Sequence, residues 1–87
     1  MPNNDNNIKR IRIEIDCDPM HRYQENYGRC IFETILNKEY REPNNTFFGC
    51  WTWCGVECTV EQQESIRHLL TDAYNDGELR YAGWGQE

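Results

Sequence analysis

The run from Ile8 to Cys17 alternates between polar and apolar residues from Arg10 onward. Ile11, Ile13, Ile15 and Cys17 fall on one side; Arg10, Arg12, Glu14 and Asp16 fall on the other. A period of two marks a half-buried β-strand. Asp18-Pro19 ends it, because proline has no N–H for a ladder. Residues 18–28, DPMHRYQENYG, are polar and predict a loop leading to a turn at Asn26-Tyr27-Gly28. Arg29 to Tyr40 supports two readings. As a strand, Cys30, Phe32, Thr34, Leu36 and Tyr40 share a face; as a helix, Ile31, Ile35 and Leu36 make a weak stripe. The strand is preferred, because Ile, Phe, Thr and Tyr are enriched and no N-cap residue precedes the run. Glu42-Pro43-Asn44-Asn45 then predicts a turn.

The stretch Phe47 to Cys58, FFGCWTWCGVEC, carries two of the three tryptophans and three of the five cysteines. Read as a strand, it sends Phe47, Trp51 and Trp53 to one face, and Phe48, Cys50, Thr52, Cys54, Val56 and Cys58 to the other. A helix follows. Thr59 and Gln62 have the spacing of a capping box, and Ile66, Leu69, Leu70 and Ala73 recur at helical intervals. Glu61, Glu64, His68, Thr71, Asp72 and Asn75 take the opposite face. Asn75-Asp76-Gly77 predicts the stop, with Gly77 left-handed. A short last strand is expected over Glu78–Ala82, with Leu79 and Tyr81 on one face, then a flexible, aromatic Gly83-Trp84-Gly85.

The expected order is β-β-β-α-β. It implies an α+β fold: a small antiparallel sheet with one helix packed on one face and the aromatic face of the third strand uncovered. Residues 1–7, MPNNDNN, read as a disordered tail, and residues 8–87 as a single domain. At 87 residues there is little room for a deep catalytic cavity, which favours binding through a surface.

Charge sharpens this picture. The chain has 9 basic and 15 acidic residues, a net of −6. Residues 1–43 hold 7 basic and 8 acidic groups, while residues 44–87 hold 2 and 7, so the excess sits in the second half. Such a surface repels phosphate backbones and attracts basic clefts. Direct nucleic-acid binding is disfavoured, although Lys9, Arg10 and Arg12 cluster near the start. The blander reading is that the charge only keeps a small protein soluble. No apolar run approaches the roughly 20 residues of a membrane span, and Met1 to Asn7 lacks the apolar core of a signal peptide. The expectation is a cytoplasmic protein with reduced thiols.

Candidate chemistry is sparse. Cys50, Cys54 and Cys58 would be roughly 13 Å apart in steps along a straight strand, too far to share a metal, and no close CxxC pair is present. A zinc site assembled across strands from Cys17, His21, Cys30 and one of the later cysteines is the main alternative to cysteines as small buried hydrophobes. Ser65, His68 and Asp72 are triad residue types, but on one solvent-facing helix they have neither oxyanion hole nor pocket. No glycine-rich phosphate loop occurs. Trp51, Trp53 and Phe47 either form a second small core, under the N-terminal segment or the 18–28 loop, or make an exposed aromatic face of the kind that anchors partners. Tyr23, Tyr27, Tyr40, Tyr81 and Trp84 would extend that face.

These features point to a non-enzymatic, acidic binding protein with no cofactor. It would occlude a basic, nucleic-acid-binding surface of a larger protein or ribonucleoprotein. Glu61, Glu64, Asp72 and Asp76 would supply charge, and Trp51 and Trp53 would act as anchors. Phage-encoded inhibitors of host defence, such as anti-CRISPR and anti-restriction proteins, share this profile as a class. The alternatives are a small structural zinc module with Cys and His ligands, or a homo-oligomeric structural or regulatory protein, for instance a homodimer on the aromatic face.

Overall fold

A computed structural model of the chain describes residues 7–16, 23–47 and 50–87. The fold is α+β. Four strands, β1 (Ile8–Asp16), β2 (Asn45–Phe47), β3 (Cys50–Thr59) and β4 (Tyr81–Gln86), form an antiparallel sheet in the order β2-β3-β1-β4. Two helices accompany it, α1 (Tyr23–Arg29) and α2 (Val60–Asn75). Because β3 and β4 both run antiparallel to the β1 strand between them, β3-α2-β4 is a split β-α-β unit.

The alternation of β1 is realised as read: Ile11, Ile13 and Ile15 are fully buried. Cys17 and most of the expected 1–7 tail lie outside the described residues. The helix after β3 also follows its signals. Thr59 Oγ1 accepts from the Gln62 N–H at 3.1 Å, and the Gln62 side chain accepts from the Thr59 N–H at 2.9 Å, closing the capping box. Ile66, Leu70 and Ala73 are buried on one stripe, with Leu69 packed beside them. At the other end Gly77 takes φ +82°, its N–H donates to Tyr74 O, and the Glu78 N–H donates to Ala73 O. That is a Schellman closure.

The preferred strand over 29–40 is overturned, as is the loop reading of 23–28. Tyr23–Arg29 is helical and continues into a π-helical stretch, Cys30–Ile35. Two adjacent i+4 rows explain why. Tyr23, Tyr27, Ile31 and Ile35 make one, and Gln24, Gly28, Phe32 and Leu36 make the other; Gln24, Gly28, Ile31, Phe32 and Leu36 are buried and the remainder partly so. The solvent face carries Glu25, Arg29 and Glu33, with Arg29 paired to both carboxylates at 2.9 and 3.1 Å.

The expected uncovered aromatic face is also corrected. The alternation of β3 breaks at a bulge: Ile11 pairs with Val56 but Ile13 pairs with Trp53, so β3 spends one extra residue. Gly55 takes φ +63° there. The bulge switches parity, so Trp51 and Trp53 point to the same side as Val56 and Cys58 and into the core. The Cys54 N–H is taken by Asn44 Oδ1 at 2.6 Å, the Cys54 carbonyl accepts from Arg41 Nη2, and the Gly55 N–H donates to the Glu87 carboxylate at 3.1 Å. Trp53 is fully buried, its Nε1 donates to Arg41 O at 2.7 Å, and its ring centroid lies 6.2 Å from that of Phe32. A single core therefore lies between the sheet and both helical segments.

The last strand is shifted. It spans Tyr81–Gln86 rather than 78–82, so Gly83-Trp84-Gly85 is strand and not a flexible end. Leu79 precedes it and is buried, whereas Tyr81 is half exposed, so the two do not share a face. Trp84 and Ala82 stand opposite Ile13 and Ile15 on the core side. Tyr81 lies on the open side, where its hydroxyl donates to Glu14 at 3.2 Å and its ring covers Gly83.

Candidate binding surface

The two tryptophans expected as anchors are placed differently from that expectation. Trp53 has no accessible surface, so a partner cannot touch it while the fold is closed. Trp51 is half-buried, with its ring centroid 6.0 Å from that of Trp53 and packed on the core. Parity counting missed this because a bulge needs only one extra residue, and its signal, Gly55 inside a strand pattern, is faint.

The four expected carboxylates are all exposed on α2 or at its end. They form two groups rather than one. Glu61 and Glu64 occupy the first turns, and Asp72 and Asp76 the last, roughly 16 Å further along at about 1.5 Å per residue. Glu64 is committed to Arg67, which meets it at 2.9 Å and holds its carboxyl below the usual range. Among the described residues no ion pair engages Glu61, Asp72 or Asp76.

Asp72 and Asp76 sit at the negative end of the helix macrodipole, and the last turn carries no basic residue. Carboxylates there oppose the dipole, at a cost of roughly 0.3–1 kcal/mol each. Fold stability does not ask for them.

Beside this helix end lies the groove that the sequence did not announce. Leu70, Thr71 and Tyr74 of α2 face Ala82 and Trp84 of β4 across a largely apolar hollow of about 290 Å³. Tyr74 is 55% exposed at this groove, and Tyr81, 49% exposed, starts the strand beside it with its ring on the open sheet face. A second, polar hollow of about 270 Å³ lies on the open sheet face above Gly83 and Gly85, flanked by Arg12, Glu14 and Glu87. Its charges are mixed.

Among the described residues neither the triad types nor the cysteines assemble. Ser65, His68 and Asp72 are exposed, and His68 Nε2 lies 3.4 Å from Arg67 Nη2. Among the described residues no group of three or more His, Cys, Asp or Glu side chains could hold a metal ion; Cys17 and His21, two of the suggested ligands, lie outside those residues. Cys30, Cys50, Cys54 and Cys58 are free thiols. Burial pushes the Cys58 thiol up, and burial with the Asp16 and Glu14 charges does the same for Cys50, so both stay protonated and poorly nucleophilic at neutral pH. No helix among the described residues is long and apolar enough to cross a membrane. Comparison of the chain with protein-family models, with curated proteins and with solved structures finds no match.

Proposed function

We propose that this chain is a non-enzymatic, acidic binding protein that covers a basic, nucleic-acid-binding surface on a larger protein or ribonucleoprotein, as an inhibitor of that surface. The observation that carries the reading is the placement of Asp72 and Asp76: exposed, without a cationic partner among the described residues, and at the helix end where they cost stability. Carboxylates so placed take up arginine and lysine side chains that otherwise hold phosphate, while exposed Tyr74 and Tyr81 supply apolar contact area. Glu61, in the first turn of α2, adds an exposed carboxylate at the other end of the helix.

The test is charge reversal. Asp72→Lys with Asp76→Lys is expected to fold with an unchanged or slightly higher melting temperature, since the reversal suits the dipole. A protein retained by the wild type should lose its bound nucleic acid as wild type is added, and should keep it when the reversed variant is added. Equal displacement by both proteins would overturn the acidic-surface reading.

A further inference from the structure

Both helical segments pack on the side of the sheet that carries Ile11, Ile13 and Ile15. Among the described residues no helix covers the other side, where β1 presents Arg10, Arg12, Glu14 and Asp16. Along the strand that side reads basic, basic, acidic, acidic. At its centre Arg12 Nε meets Glu14 Oε2 at 3.2 Å. Glu57 and Glu87 flank Arg10 across the two ladders, and Arg80 reaches Asp16 at 3.4 Å. Both ends are therefore mixed, and the ordered pair lies in the middle. Beside that pair β4 places Gly83 opposite Glu14 and Gly85 opposite Arg12. The two glycines differ. The Tyr81 ring lies over Gly83, whereas a β-carbon on Gly85 would meet nothing within 4 Å. One position is a knob and the other a hole, within a hollow of about 270 Å³.

A half-turn about an axis lying in this face, crossing β1 at Ile13 and running across the strands, exchanges its two halves. It sets a copy's Glu14 over Arg12, its Asp16 over Arg10 and its Gly85 over Gly83. We propose that the open sheet face binds a second copy of the chain, with strands antiparallel across the interface and the Tyr81 ring of each copy seated over Gly85 of the other. The face specifies its own partner, because a row of charges that inverts under a half-turn is complementary to its own image. Two Arg12–Glu14 pairs become a closed ring of four alternating charges, and two aromatic rings fill two holes. The net charge of −6 opposes this only weakly. Asp72 and Asp76 lie on α2, behind the sheet. With sheets about 10 Å apart and a helix layer on each side, the two α2 helices are roughly 30 Å apart, several Debye lengths at physiological salt. The dimer is thus separate from the acidic surface: Tyr81 serves the copy, while α2 and Tyr74 stay open to a larger partner. Strands β3, β1 and β4 make a patch of roughly 30 by 15 Å, a size that suits a weak, reversible dimer.

Sedimentation velocity of the whole chain, from micromolar to millimolar concentration, reads the association. Wild type is expected to shift reversibly from monomer to dimer across that range. Arg12→Glu and Glu14→Arg each set like charges against one another across the axis, and each should weaken the dimer at least tenfold. Mixed in equal amounts the two variants should restore it, since opposite charges then meet again; the doubly exchanged chain, Arg12→Glu with Glu14→Arg, should also dimerise. Gly85→Leu fills the hole on a face that the core does not touch, and should weaken association at least fivefold at an unchanged melting temperature. Wild type that stays monomeric at millimolar concentration overturns the proposal. A dimer of wild-type strength in both single exchanges places the contact elsewhere and overturns it too. Single variants that melt like wild type and stay monomeric both alone and when mixed overturn the antiparallel register. Gly85→Leu that associates like wild type overturns the seating of Tyr81, whatever the charge variants do. Charge reversal at Asp72 and Asp76 judges the acidic surface independently of all these outcomes.

Discussion

A β-carbon built on Gly28 would sit 2.7 Å from Cζ2 of Trp53, so α1 meets β3 at a distance only glycine allows. Glycine inside a helix is ordinarily the weaker choice, by about 1 kcal/mol relative to alanine. Here the sign reverses. Gly28→Ala is expected to destabilise by about 1–3 kcal/mol, because the buried indole has no space to yield. Trp53→Ala should cost about 3–5 kcal/mol through the cavity it leaves. Urea denaturation of both variants checks this, and a Trp53→Ala protein of near wild-type stability would show that the ring is not central to the core.

Gly55 has a left-handed backbone, and a β-carbon there would meet the Arg10 guanidinium at 2.9 Å. Gly55→Ala is expected to cost about 1–2 kcal/mol from the left-handed conformation. Asn44→Ala removes the acceptor for the Cys54 N–H and should loosen the same bulge. Amide exchange at Cys54 and Gly55 should accelerate in either variant ahead of the rest of β3.

The Tyr27 hydroxyl donates to Glu78 Oε1, tying α1 to the chain between α2 and β4. Burial, and then the Glu78 carboxylate, raise the Tyr27 pKa well above the tyrosine value; burial also raises Tyr40. The folded state thus keeps a proton that the unfolded chain releases near pH 10. This stabilisation is complete below that pH and is lost as pH rises from about 10 towards the folded value. Tyr27→Phe should be less stable than wild type at pH 7 and lose less stability between pH 10 and 12. Parallel stability profiles for the two proteins would count against the Tyr27–Glu78 link.

The reciprocal bonds between Thr59 and Gln62 begin α2 where β3 ends, so the cap fixes both elements. Thr59→Ala should cost about 1 kcal/mol, and Thr59→Asp should restore most of it. Thermal melts of the pair separate loss of the cap from general damage to the strand end.

The sequence was most legible where one rule governed a whole element. The isoleucines of β1 and the box, stripe and glycine stop of α2 each showed a period and a boundary, and the α+β class followed from them. Tyr23–Ile35 was obscured because Gly28 resembles a turn, although the Glu25-Arg29-Glu33 spacing carried a helical signal at i+4. The strand identity of Tyr81–Gln86 was hidden by its two glycines; Tyr81, two residues earlier on the same strand, lies over one of them. Of the expected site, the carboxylates of α2 were readable because exposure follows helical period. The tryptophans were misassigned because facing along β3 depends on a bulge, and the groove beside β4 depends on two elements whose packing no local pattern encodes.

The extra residue at Gly55 acts as a phase shift in the chain. Upstream of it odd positions face inward; downstream, even positions do. Substituting Gly55 perturbs the bend, but deleting it would restore simple alternation. The core could then be kept on only one side of the deletion, with Trp51 and Trp53 turned to solvent or Val56 and Cys58 turned out instead. For this protein the loss of one small residue would be a change of topography, far more severe than replacing it with a large one.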